Sequence, residues 1–345
     1  MRRAAAFAIA FATFGCSAPA TLPELAQAET RADSGDVEGA VAAYQLAQQR
    51  CHRLQPPRRA KAACGDALLG EAETLERAHQ DDRALETYSA IPPRTVDDPT
   101  TAATATYRAG ALALRLGRVT QAWTALWKTV TDWPDEAIAA DALSLLLTDG
   151  RTRDPRALAD EIGKLLTSLA ETDVADNLVW SLADLEAHEL DNPAAARALY
   201  DRIPVDYPNS GLRDDARWFA AQLSRQLGDP AGAVERLRAL LATREVAFMA
   251  GSYFSIWLDD AQLQLGQILR DDRHDPKGAI AAFRRLPKDY PDSILRDDAL
   301  YELAMTLEQT GDHAGACAAA ADLVKLEPDS KYVGKLEPLA CKAAK

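Results

Sequence analysis

Two stretches of this chain are almost the same stretch. Residues 202–216 read RIPVDYPNSGLRDDA and residues 285–299 read RLPKDYPDSILRDDA, identical at eleven of fifteen positions with an offset of 83. The likeness runs upstream, where Asn192-Pro193 through Tyr200 corresponds to Asp275-Pro276 through Phe283. An internal repeat constrains a fold strongly, because each copy is too small to bury its apolar face alone and must stack on its neighbours. Each copy reads as a helix opening at proline, a Tyr-Pro turn, and a further helix starting near Ser210 or Ser293. Proline at a first turn lacks only a donor that would be orphaned anyway, and serine caps the next set of free N–H groups.

A finer period lies inside the longer one. Leu300, Leu303, Ala304, Leu307, Gly311, Ala316, Ala320, Leu323 and Pro328 form its clearest unit. Small residues allow two antiparallel helices to approach closely, Gly311 relieves the turn between them, and Pro328 closes the second. These spacings resemble the tetratricopeptide repeat of about 34 residues. Partial units follow at Gly35, Ala40, Tyr44 and Ala47; at Ala84 and Tyr88; and at Gly110, Gly117, Ala122 and Leu126. Two more follow at Ala221, Gly228, Ala233 and Leu237, and at Leu265, Gly266, Leu269, Ala279 and Phe283. Residues 135–190 are helical by period but match the motif poorly. The Tyr-Pro-x-Ser-x-x-x-Asp-Asp-Ala style is similar to tetratricopeptide proteins of bacterial envelopes, namely the repeat lipoprotein of outer-membrane protein assembly and the periplasmic partner of the Tol–Pal system.

The resemblance implies an all-α chain: a tetratricopeptide-type α-solenoid of about seven antiparallel helix pairs with a C-terminal capping helix near 331–343. Aromatic residues are only 6% of the chain, which suits close-packed helices, and no alternating β-branched run predicts a strand. Pro92-Pro93 and Asp97-Asp98-Pro99 are the best interruption, dividing N-terminal repeats (22–92) from the longer array (100–345).

The N-terminus reads as a targeting segment. Arg2 and Arg3 precede an apolar run, Ala4 to Phe14, broken only by Thr13 and too short to span ~30 Å of hydrocarbon. Thr13-Phe14-Gly15-Cys16 resembles a bacterial lipobox, with Thr13 and Phe14 standing where leucine and a small residue are usual. The expectation is a signal peptide over 1–15, lipidation of Cys16 and a linker over 16–21. That places the protein on the periplasmic face of the outer membrane through an N-terminal lipid anchor. Cleavage after Ala18-Pro19-Ala20 is the alternative and would release a soluble periplasmic chain.

Without Cys16, four cysteines remain: Cys51, Cys64, Cys317 and Cys341. An even number in an oxidising compartment points to two disulfides with three connectivities. Residues equidistant from a turn in an antiparallel helix pair lie at similar heights. Cys51 and Cys64 are centred on Pro56-Pro57-Arg58, and Cys317 and Cys341 on Asp329, so the predicted bonds are 51–64 and 317–341. No Cys-x-x-Cys or His-x-x-x-His occurs, and metal and cofactor sites are not expected.

The formal charge is −13, and loss of residues 1–15 would take it to −15, which disfavours nucleic acid as a partner. Asp pairs at 214/215, 259/260, 271/272 and 297/298 invite an acid–base reading. Neighbours on a helix do not face one another, and the pairs 214/215 and 297/298 fall in first turns, where negative charge suits the helix dipole. Trp123 and Trp127, four apart, read as a core pair, and Trp133, Trp180, Trp218 and Trp257 likewise. Arg58, Arg59 and Lys61 read as a solvated helix start. No phosphate loop, nucleophile elbow or His-Glu-x-x-His is present. The expectation is a non-enzymatic scaffold that binds protein partners of the cell envelope in a solenoid groove; an enzyme or glycan-binding protein using that groove is the alternative.

Overall fold

The computed structural model describes residues 22–243 and 255–341. Its first unit, up to Ala142, holds α1 (Pro23–Asp33) and α2 (Val37–Arg50), α3 (Pro57–Arg77) and α4 (Asp81–Ser89), and α5 (Pro99–Arg115) and α6 (Val119–Asp132). The boundary with the second unit falls between Ala142 and Leu143, inside α7 (Ile138–Arg153), which is followed by α8 (Pro155–Ser168). The second unit continues with α9 (Ala175–His188) and α10 (Pro193–Asp206), then α11 (Arg213–Gln226) and α12 (Pro230–Ala242). It closes with α13 (Leu258–Asp271) and α14 (Pro276–Asp289), and α15 (Arg296–Gln309) and α16 (His313–Leu326). Among the described residues no strand occurs, and each unit is a stack of antiparallel helix pairs of tetratricopeptide type. The Pro92–Pro99 break lies inside the first unit, where Pro92–Arg94 forms a short 3-10 turn ahead of α5.

Local chemistry explains the regularity. Asp98, Asp154, Asn192, Asp229 and Asp275 each stand immediately before a proline that opens a helix, and each side chain accepts from the N–H of that helix's third residue. Asp36 and Asp312 cap α2 and α16 in the same way without the proline. One such cap contributes about 1 kcal/mol. The turns inside the pairs, α7–α8 excepted, pass through a left-handed residue, which is glycine at 311 (φ +83°) but histidine at 274 (φ +52°). Close helix approach is plainest at Gly266 of α13, where an added Cβ would stand 2.3 Å from the Phe283 ring of α14. Phe283 is fully buried, and the surrounding core alternates Ala279 and Ala304 with Leu265, Leu303 and Leu307.

Three features depart from the sequence reading. The C-terminal cap is not an α-helix over 331–343 but a 3-10 helix, Val333–Leu339, ending at Ala340 in the left-handed region. Gly334 and Pro338 disfavour the α-helix, and a three-residue period places Leu336 and Leu339 on one buried face. Ser210 and Ser293 are not N-caps: α11 and α15 start three residues later, at Arg213 and Arg296. The six tryptophans are partly rather than fully buried, with Trp180, Trp218 and Trp257 packed against the cores of the second unit. On α6 the buried stripe is Ala122, Leu126, Thr129 and Val130, and Trp123 and Trp127 sit one residue further round the helix, at the edge of that stripe.

Candidate interaction surfaces

Two cavities flank the Pro92–Asp98 connection of the first unit. One, of about 610 Å³, opens between α3 and the connection and is lined by Gln48, Cys51, Lys61, Cys64, Arg94 and Asp98, with Arg58 also at its wall. Lys61 Nζ lies 3.6 Å from Asp98 Oδ1, and Arg58 and Arg59 are exposed in the first turn of α3, so the basic cluster is a solvated helix start that also edges this cavity. The other cavity, about 1100 Å³, runs along α5 and α6 and is lined by Pro92, Pro93, Val96, Thr106, Thr124 and Trp133. Val96 is 83% exposed there. Val96, the two prolines and Trp133 make an apolar lip over buried Ala102, Thr106 and Ala109, while Lys128 and Asp132, an ion pair, supply a polar edge.

The second unit presents an aromatic clasp on two alternate first helices, α11 and α15. Trp218 of α11 stacks on Trp257 at 5.0 Å and 11°, and Trp257 Nε1 donates to Asp215 Oδ1 at 2.6 Å. The arrangement returns 83 residues on: Tyr301 of α15 stacks on Tyr332 at 4.3 Å, and the Tyr332 hydroxyl donates to Asp298 Oδ1 at 2.6 Å. The first aspartates of two pairs also reach the segment ahead of the next first element. The Ser293 hydroxyl donates to Asp259 Oδ2 (2.6 Å) and the Ser330 hydroxyl to Asp297 Oδ2 (2.7 Å). Each serine oxygen also accepts from the N–H two residues on, at Leu295 and Tyr332. This double use explains why the serines lie ahead of the helices instead of capping them. Burial and the neighbouring Asp259 raise the Asp260 pKa. At the other end of α13, Asp271 is held low by hydrogen bonding to Arg270, and Asp272 pairs with Arg225 at 2.7 Å. The aspartate pairs therefore join one helix pair to the next; none forms two facing carboxylates.

Cys51 and Cys64 are joined by a disulfide with Cα atoms 5.2 Å apart, as are Cys317 and Cys341 at 5.5 Å. Cys16, with the whole of the targeting segment, lies outside the described residues. Each disulfide has a neighbour that sequence reading missed. His52 Nδ1 lies 3.6 Å from Cys64 Sγ, and His313 Nε2 lies 3.6 Å from Cys317 Sγ. The second was readable, since residues four apart share a helix face. Cys51, His52 and Cys64 bring three ligand-type atoms within 4.8 Å, but both sulfurs are committed to the disulfide. Among the described residues, no helix is long and apolar enough to cross a membrane.

The tetratricopeptide-repeat family model matches residues 260–293 and 298–330, which are the α13–α14 and α15–α16 pairs. No curated protein matches the chain in sequence. Among solved structures, pilF of Pseudomonas aeruginosa is 18% identical over 70% of this chain and 98% of its own, with a TM-score of 0.41. The C-terminal part of a repeat protein from Cytophaga hutchinsonii is 11% identical over 90% and 98%, with a TM-score of 0.42. A tetratricopeptide protein of Parabacteroides merdae is 13% identical over 82% and 97%, with a TM-score of 0.33. Residues 260–330 thus hold two tetratricopeptide repeats, a module that serves as a scaffold for binding other proteins.

Proposed function

We propose that this chain is a non-enzymatic interaction scaffold of the bacterial cell envelope, held at the periplasmic face of the outer membrane by a lipid on Cys16. Its partner is a protein of a membrane-assembly, secretion or cell-wall complex. The observation that carries the reading is the 1100 Å³ groove along α5 and α6. Its apolar wall of Pro93, Val96 and Trp133 suits the apolar side chains of a peptide, and the exposed Gln121 amide on the same lining can meet the peptide backbone. Lipidation would confine the protein to a surface and so raise its local concentration around membrane-bound partners. The Arg2-Arg3 start, the short apolar run and Gly15-Cys16 support the anchor.

The test is photo-crosslinking in cells from a reactive residue at Thr124, with Glu235 of α12 as a probe outside the groove, followed by mass spectrometry. A partner captured from Thr124 and not from Glu235 is the expected result; the same proteins from both positions would reject the groove. The mass of the mature N-terminus tests the anchor in the same preparation. A diacylglyceryl cysteine at 16, lost in Cys16→Ser, is expected, and a soluble chain beginning at Thr21 would reject it.

A further inference from the structure

The two disulfides differ in which of their sulfurs can be reached. An incoming thiolate attacks one sulfur and expels the other, and exchange is faster when the expelled sulfur is the better-stabilised thiolate. An imidazolium beside the departing sulfur supplies that stabilisation. In the Cys51–Cys64 bond the imidazole of His52 lies beside Cys64, so the productive attack falls on Cys51. Cys51 is fully buried, with a relative exposure of 0%. In the Cys317–Cys341 bond the imidazole of His313 lies beside Cys317, so the productive attack falls on Cys341. Cys341 is only half-buried, following Ala340 at the end of the last 3-10 helix. His313 is itself oriented: its Nδ1 is 2.7 Å from the Glu308 carboxylate, which leaves Nε2 turned toward Cys317 Sγ. Glu308, His313 and Cys317 thus stand in the order orienting acid, proton donor and sulfur across the α15–α16 turn.

We propose that Cys317–Cys341 is a thiol–disulfide exchange site, with Cys341 the attacked sulfur and His313 the catalytic acid at the departing Cys317. The incoming thiolate forms a bond to Cys341 Sγ while the Cys341–Cys317 bond breaks and its electron pair leaves on Cys317. The imidazolium gives its Nε2 proton to that sulfur, and Glu308 holds the ring through Nδ1. A second thiolate then attacks the external sulfur of the mixed disulfide and releases Cys341, which takes up a proton. The balance is two external thiols oxidised to one disulfide and one protein disulfide reduced to two thiols, with no further oxidant. The substrate class is accordingly a dithiol or a pair of monothiols.

The probe is reduced glutathione, applied to the oxidised full chain and quenched at intervals with acid and iodoacetamide before peptide mapping. The expected result is a glutathionyl adduct on Cys341 while Cys51–Cys64 stays closed. His313→Gln should slow opening of the C-terminal bond about tenfold and leave the N-terminal bond as it was. Glu308→Gln should slow it as well and Glu308→Asp restore it, with unfolding curves of all three variants matching the parent, which separates positioning from structural damage. An adduct on Cys317, equal opening of the two disulfides, an unchanged rate in His313→Gln, or free thiols at 317 and 341 from the outset would each overturn the assignment.

Discussion

Gly311 and His274 occupy equivalent turns, and exchanging their chemistry tests whether the backbone there, and nothing else, sets the energy. Gly311 has φ +83°, and a Cβ added to it would meet no atom within 4 Å. Gly311→Ala therefore introduces no clash, and its cost is the left-handed conformation of an L-residue, about 1 kcal/mol after the partial offset from a stiffer unfolded chain. His274 carries that cost already, at φ +52° with an exposed side chain, so His274→Gly should stabilise by a smaller amount, about 0.5 kcal/mol. Global melting is a blunt readout, because stacked repeats need not unfold as one. Native-state hydrogen exchange of α15 and α16 amides is the better assay. A loss of 1 kcal/mol should speed exchange roughly fivefold in Gly311→Ala, and His274→Gly should slow it in α13 and α14. Unchanged exchange in Gly311→Ala, or faster exchange in His274→Gly, would refute the backbone account.

Two other perturbations follow from the second unit. Burial lifts the Tyr200 hydroxyl to about 12, and that oxygen is buried with no hydrogen-bond partner. A raised folded value means the contribution is whole below pH ~10 and is lost as pH rises toward 12; Tyr200→Phe should flatten this part of the guanidinium stability profile and lose nothing at pH 7, and an unaltered alkaline slope would count against it. For the clasp, a double-mutant cycle of Asp298→Asn and Tyr332→Phe should give a coupling of about 1–2 kcal/mol, and zero coupling would mean that the stacked rings hold without the hydrogen bond.

What could be read beforehand was whatever chemistry acts within a few residues. Asn192-Pro193 and Asp275-Pro276 announce helix starts because cap and proline both work locally, and Gly311 announces a turn for the same reason. Residues 135–190 lack the motif yet still form helices, since Ala139, Ala142, Leu143 and Leu146 give α7 a buried stripe without the signature residues. Ser293 does not cap its helix because its hydroxyl bonds Asp259, 34 residues away, a partner no local rule reveals. Trp123 and Trp127 fall at the edge of the packed stripe because four-residue spacing defines a face but not which face packs. Equal heights for residues equidistant from a turn require two α-helical arms of equal rise. Neither turn has them: Cys51 begins a 3-10 turn, and Cys341 follows a 3-10 helix whose rise per residue exceeds that of α16. Cavity shape along α5 and α6 depends on the fold of the connection at 92–98, which no local rule specifies.

The aromatic clasp carries a record of ancestry. It occurs at Trp218 and again at Tyr301, but the intervening first helix has Leu263 at the equivalent place, with Ile294 and Leu295 where the partner ring would come. Copying one helix pair at a time gives no reason for a feature to skip alternate pairs. The 83-residue offset covers two pairs, so the genealogical unit is four helices although the structural unit is two. The partner rings, Trp257 and Tyr332, are 75 residues apart rather than 83. The discrepancy falls in the long connection between Ala242 of α12 and Leu258 of α13, against the short one between Leu326 and Val333. The two copies of the four-helix block therefore differ in length at that one connection, by eight residues.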